Sequence, residues 1–353
     1  MKNLLCLFFS FFFSSLILTA CLAQPPVSRV LRLDEKHVVI LLDSAQAAAF
    51  IVQDAYDHYF EKVGFNEMTI QMKRMPEKET TRESFLPFYK EFLQTDVADF
   101  DEKEARFTVE VMEKSFKTAS QIASDLFPDT LYLLKTKGRH YGNSVYYTRG
   151  KGIVIPANEL AARKRDNFTT TMYHELFHVY SRLHPEKRRA LYHLIGFETI
   201  GFDHLILPPE LLKRVLFNPD GVDFAQKITL ATPEGETIHA IPVIYANQPG
   251  YVRGQEEFFS YLEFNLYKIE RAGDQVWSVV TAENGYSSTL QVDKLPDFFQ
   301  QIKDNTGYII HPDEVLADNF SFIMRQETNP QYTAKFSVAG RQLLKDMEGV
   351  LRQ

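Results

Sequence analysis

The sequence predicts an α+β fold. Segments that alternate apolar and polar residues fall in separate runs from segments with helical periodicity. The middle of the chain, about 218–292, reads as strands with turns at "PEG" and "AGD". No internal repeat and no Gly-rich phosphate loop points to a doubly wound sheet.

In chain order, the first segment is a leader. Lys2 precedes an almost wholly apolar run from Leu4 to Leu18, which ends in "LTAC", residues 18–21. A positive start, an apolar stretch and small residues make the order of a signal peptide. The run, about 15 residues, is short of the roughly 20 needed for a membrane span. Its ending resembles a bacterial lipobox, which implies removal of residues 1–20 and a lipid on Cys21. By the same resemblance to Gram-negative sorting, Leu22 in place of Asp after the cysteine points to the outer membrane. A short tether with "QPP" follows.

Residues 21–128 are read as a mostly helical region. "HVVILLD" (37–43) is a strand and 44–63 an amphipathic helix with Ser44 as N-cap. Helices are expected near 81–94 and 101–126, the latter ended by "FPD". From 129 to 353 the pattern changes. "TLYLLKT" (130–136) is a strand, and 144–156 is a hairpin turning at "RGKG". Helix follows from 157 to 183 and again over 186–196. After the β insert of 218–292, helix returns at 295–304, 312–326 and 337–352.

The chain carries 39 Lys and Arg against 46 Asp and Glu, a formal net charge of −7. That argues against nucleic acid, which calls for a basic face. Of two cysteines, Cys6 lies in the leader and Cys21 at the lipidation point. The remaining chain can hold no disulfide or thiolate metal site, so any metal must sit on His, Asp or Glu.

The chemistry concentrates in "YHELFH", residues 173–178. His174 and His178 are four apart and share one helical face, a spacing that lets two imidazoles reach one zinc ion. Glu175 is turned about 100° around the helix, beside the metal but not on it. Met172, Leu176, Val179 and Leu183 form a stripe roughly opposite the histidines. The helix is therefore expected to bury that stripe and present its histidines on the other side. A third ligand is sought in "HPDEVLADNF" (311–320), where Glu314 and Asp318 are again one turn apart. A ligating histidine usually donates its far N–H to a carboxylate, a role open to Asp318.

HExxH followed by ExxAD resembles the gluzincin metallopeptidases. The resemblance covers these two motifs and the element order between about 130 and 326. It implies a zincin-like fold, with His174, His178 and Glu314 as zinc ligands, Glu175 as general base, and Asp318 as the partner of a ligating histidine, His174. It also implies an edge strand lining the cleft, for which "GIVIP" (152–156) is the candidate, and a peptide or protein substrate. The carbonyl-polarising residue stays open among Tyr308, His311, His193 and His204. Glu256 and Glu257 in "QEEFFSYLEF" are rival third ligands, without an Asp one turn on. The expected function is a lipid-anchored zinc peptidase of the cell envelope. The alternative is a non-catalytic lipoprotein that keeps the scaffold and binds a partner.

Overall fold

A computed structural model describes residues 29–353, residue 163 excepted. The leader, Cys21 and the tether through Ser28 lie outside the described residues. The architecture is mixed α and β, built on two six-stranded sheets. The first contains β1 (Val30–Arg32), β2 (Val38–Leu41), β3 (Val97–Ala98), β4 (Thr130–Thr136), β5 (Tyr147–Arg149) and β6 (Gly152–Pro156). Its order is β1-β2-β4-β6-β5, with β3 paired to the end of β4. β2, β4 and β6 run parallel, and the others are antiparallel to their neighbours.

This sheet runs across the boundary at residue 128. β2, from the N-terminal region, pairs with β4 over Val38–Leu41 and Thr130–Leu133. The outer strand is β5, while "GIVIP" pairs on both sides. The expected edge position of 152–156 is therefore corrected: the hairpin turns that strand inward and leaves Tyr147–Arg149 at the rim.

The second sheet contains β7 (Phe197–Thr199), β8 (Leu205–Ile206), β9 (Gln226–Ala231), β10 (Thr237–Ala246), β11 (Leu262–Arg271) and β12 (Trp277–Val279). The β9–β10 and β10–β11 pairs are antiparallel and form its centre. β7 and β8, which precede residue 218, complete its two edges.

The expected helix over 44–63 is also corrected. It spans Ser44–Ile51 and its N-cap is Asp43, which accepts from the Gln46 N–H at 2.8 Å. The chain then leaves the helical path. Asp57 pairs with Arg182 at 2.5 Å, His58 adopts φ 53°, and Asp54 accepts from the Phe60 N–H at 2.8 Å. A ladder of local hydrogen bonds gives way to a charge pair and a new cap. "FNEMTIQM", unassigned by periodicity, forms a helix at Phe65–Met72.

Two helices carry the site. Arg165–Leu183 is separate from the short helix Ala157–Ala162, and it ends where Pro185 opens the next helix. Pro312–Thr328 starts with Pro312 in its first turn and His311 as N-cap, whose Nδ1 accepts from the Asp313 N–H. Asp313 and Glu314 then sit at the positive end of the helix dipole. The two helices pack together through a core containing Leu176, Phe177, Leu316 and Phe320. Ile153 and Ile155 of β6 belong to the same core.

A polar network ties the N-terminal region to the segment beside the site. Glu67, fully buried, accepts from Tyr59 Oη (2.9 Å), Gln71 Nε2 (2.8 Å) and the Phe217 N–H (2.9 Å). Burial pushes its pKa up to about 7, against the pull of those donors. A carboxyl raised in the folded state stabilises fully below its unfolded pKa of 4.5, and that contribution is lost as pH rises through about 7. Glu67→Gln stays neutral and should gain on wild type by up to about 3 kcal/mol between pH 4.5 and 8. Urea unfolding at several pH values reads this; a pH-independent difference would contradict it.

Candidate metal centre

The structure brings the two motifs together across 140 residues of sequence. His174 Nε2 lies 3.0 Å from Glu314 Oε2, and His178 Nε2 lies 3.3 Å from the same oxygen. Ligand atoms of these three residues all fall within 4.8 Å of one another. Each histidine is held from behind. His174 Nδ1 is 2.9 Å from Asp318 Oδ1, and His178 Nδ1 is 2.7 Å from Asp313 Oδ2. With each Nδ1 held by a carboxylate, both Nε2 atoms face one point, beside Glu314 Oε2.

Asp313 was not singled out in the sequence. Its other oxygen accepts from Ser181 Oγ (2.5 Å) and Tyr192 Oη (2.9 Å), so the carboxylate is fixed on three sides. Asp318 is fixed by Thr306 Oγ1 on its second oxygen. Glu314 is held by Asn218 Nδ2, which donates to Oε1 at 2.6 Å and leaves Oε2 toward the imidazoles. Asp313→Asn and Asp318→Asn should each lower zinc affinity roughly 10- to 100-fold, because the histidine loses its orienting carboxylate. Competition with a zinc chelator measures this, and wild-type affinity in either variant would contradict the assignment.

The electrostatics favour a cation here. Burial pushes His174 down, but Asp318 and Glu314 outweigh it and hold the imidazole at about 10. Burial likewise opposes the charge on His178, yet Glu314 and Asp220 raise its pKa well above the ordinary range. Glu314, despite burial, is held well below the carboxylate range by both histidines. Two nitrogens and a carboxylate oxygen converge in a pocket with further carboxylates behind them. His178 Nε2 is buried, and its 3.3 Å contact with Glu314 Oε2 is not an aligned hydrogen bond. The donors are nitrogen and oxygen only, the set zinc takes in sites with two histidines and a carboxylate. The residues fit that ion.

Glu175 is 4 % exposed and its Oε2 is also without a partner. Burial, reinforced by Asp220, raises its pKa to about 8. Asp220, also absent from the sequence reading, accepts from the Thr148 N–H and Oγ1, both at 2.6 Å. Carboxylate atoms of Glu175 and Asp220 lie within 4.8 Å of each other and of a His178 ring nitrogen. The segment 217–221 thus supports the site from one side. Gly221 in it lies against His311, where a Cβ would come within 2.4 Å of the imidazole.

His174, Glu175, Asp220, Glu314 and Asp318 line a cavity of about 460 Å³. Tyr146, Phe259 and Tyr308 form its aromatic walls. Of the four carbonyl-polarising candidates, Tyr308 is in this wall, its ring 6.0 Å from that of His174. His311 is buried and occupied by the Asp313 N–H and the Asp223 carbonyl, while His193 and His204 are exposed elsewhere. The rivals Glu256 and Glu257 are exposed; Glu256 accepts from Tyr251 Oη. The helix buries Met172, Leu176 and Val179 and presents its histidines on the other side, toward a second helix. His178 is 1 % exposed, because the helix Pro312–Thr328 covers it.

No family model matches the sequence, and no curated protein or solved structure matches it.

Proposed function

We propose that the chain is a zinc-dependent peptidase, tethered to the cell envelope by a lipid on Cys21. The observation that carries this reading is the convergence of His174 Nε2 and His178 Nε2 on Glu314 Oε2, with Glu175 unpartnered beside them and a cavity in front. His174, His178 and Glu314 would hold the ion. Zinc, when bound, supplies Lewis acidity that makes water a nucleophile at neutral pH and polarises a carbonyl.

The chain's own residues do the rest. Glu175 Oε2 takes the proton of the attacking water and passes it to the leaving amine. Burial and the Asp220 charge raise Glu175, and with the ion bound it would be held as a carboxylate at neutral pH. Tyr308 donates to the oxygen on which negative charge develops. Desolvation of the phenol on the cavity side, with Glu314 and Asp220 nearby, keeps it protonated, although the residue as a whole is 41 % exposed. Opening of the ligand side to a cavity favours a catalytic role over a purely structural metal, whose coordination would be closed by protein.

The test is hydrolysis of an unfolded protein and a peptide library by the zinc-loaded chain. Cleavage that stops with a chelator and returns with zinc supports the reading; no cleavage of any peptide moves it to a binding protein. The anchor is tested separately. Mass spectrometry should find Cys21 as an acylated N-terminus. An unmodified start at Gln24 in buffer-soluble protein would contradict it.

A further inference from the structure

A second cavity, of about 490 Å³, lies on the other face of the first sheet. Ile40 and Tyr132 line it, whereas Val39, Leu131 and Leu133 point to the core that holds the metal-site helices. Its other walls are the helix Ser44–Ile51, the segment 53–57 and the β5–β6 turn.

Arg149 lines this cavity and is 3 % exposed. Its guanidinium rests 4.0 Å above the Tyr59 ring, and its Nε and Nη1 have no hydrogen-bond partner. A buried guanidinium with two nitrogens lacking hydrogen-bond partners is costly, and a carboxylate offering paired oxygens is what its fork fits. Two aspartates line the same cavity. Asp57 is fixed by Arg182 and Asp54 by the Phe60 N–H, and each keeps one oxygen without a partner. A simple anion would meet these carboxylates as well as the cations Arg149 and Lys151. A zwitterion meets both signs. The rest of the lining is apolar or aromatic at Ile40, Leu42, Phe50, Tyr56 and Tyr132, and polar at Gln46, Gln53 and Lys151. Gly150, at φ +54°, lets Tyr56 sit over the turn; a Cβ there would come within 3.1 Å of that ring.

We propose that this cavity binds an apolar α-amino acid, its carboxylate on Arg149, its ammonium against Asp54 and Asp57, and its side chain against Phe50 and Tyr132. The volume lies within the roughly 300–1,000 Å³ of small-ligand sites. The charged groups are held by the fold before the ligand arrives, which lowers the ordering cost of binding. This site does not depend on the peptidase reading.

Isothermal titration of the purified chain with leucine tests it. One leucine should bind per chain. Leucinamide, lacking the carboxylate, and 4-methylpentanoate, lacking the ammonium, should each bind at least ~10-fold more weakly. Arg149→Gln should weaken leucine by a similar factor, and His178→Ala should leave it unchanged. No leucine binding by the wild-type chain, or equal binding of leucinamide, overturns the proposal. So does leucine binding that survives in Arg149→Gln and disappears in His178→Ala, which would place the amino acid in the metal groove. If Arg149→Gln fails to fold, the three-ligand comparison on the wild-type chain decides alone.

Discussion

Glu175→Gln is expected to keep one zinc per chain and to lose turnover by a factor on the order of 10² or more. The reason is the separation of holding from chemistry in the helix Arg165–Leu183. The three groups that converge are His174, His178 and Glu314. Glu175 faces the same cavity with an unpartnered oxygen; it lies within 4.8 Å of Asp220 and of a His178 ring nitrogen, but outside the His174, His178 and Glu314 group. An amide keeps the shape but cannot accept the proton from water. The fold should not suffer, since burial already penalises the charge on Glu175. Peptide hydrolysis and zinc content, measured on the same sample, check this. Full activity would remove Glu175 from the mechanism.

His178→Ala should have the opposite signature: zinc is lost, and activity goes with it. Affinity should fall by more than the roughly 10- to 100-fold expected for the supporting carboxylates, because a ligand is removed rather than loosened. The substitution also takes a donor from Asp313, which keeps Ser181 Oγ and Tyr192 Oη. Losing one of three hydrogen bonds at a buried carboxylate costs about 1–3 kcal/mol. The variant should therefore remain folded but melt earlier. Chelator competition with thermal unfolding separates the two effects, and wild-type zinc affinity would rule His178 out as a ligand.

Much of the site could be read in the sequence because two motifs are local. His174 and His178 are one turn apart, as are Glu314 and Asp318, and strong helical periodicity surrounds both pairs. The structure has helix at Pro312–Thr328 where periodicity runs over 312–326. What escaped is non-local. Asp313 meets His178 from 135 residues away, and Asn218 meets Glu314 from 96. No spacing rule links them, although "HPDE" placed an acid directly before Glu314. Asp220, in a loop, is fixed by Thr148 of β5, 72 residues off. The helix expected over 44–63 is broken at Ile51 for the same kind of reason. Asp57 is drawn to Arg182, 125 residues later and one turn beyond His178. The edge of the first sheet was misjudged because a hairpin's two strands look alike until their partners are known. β6 finds β4 on its far side, and β5 is left outside.

The most direct test of the central claim is zinc K-edge absorption on the purified chain, paired with metal content. His174, His178 and Glu314 as ligands predict one zinc per chain, with two imidazole nitrogens, oxygen donors and no sulfur in its coordination shell. Replacing Glu314 with Ala should lower the metal content and remove an oxygen ligand from whatever zinc remains. A chain that binds no zinc at stoichiometric concentration would contradict the account. So would a zinc whose spectrum is unchanged in His174→Ala, His178→Ala and Glu314→Ala.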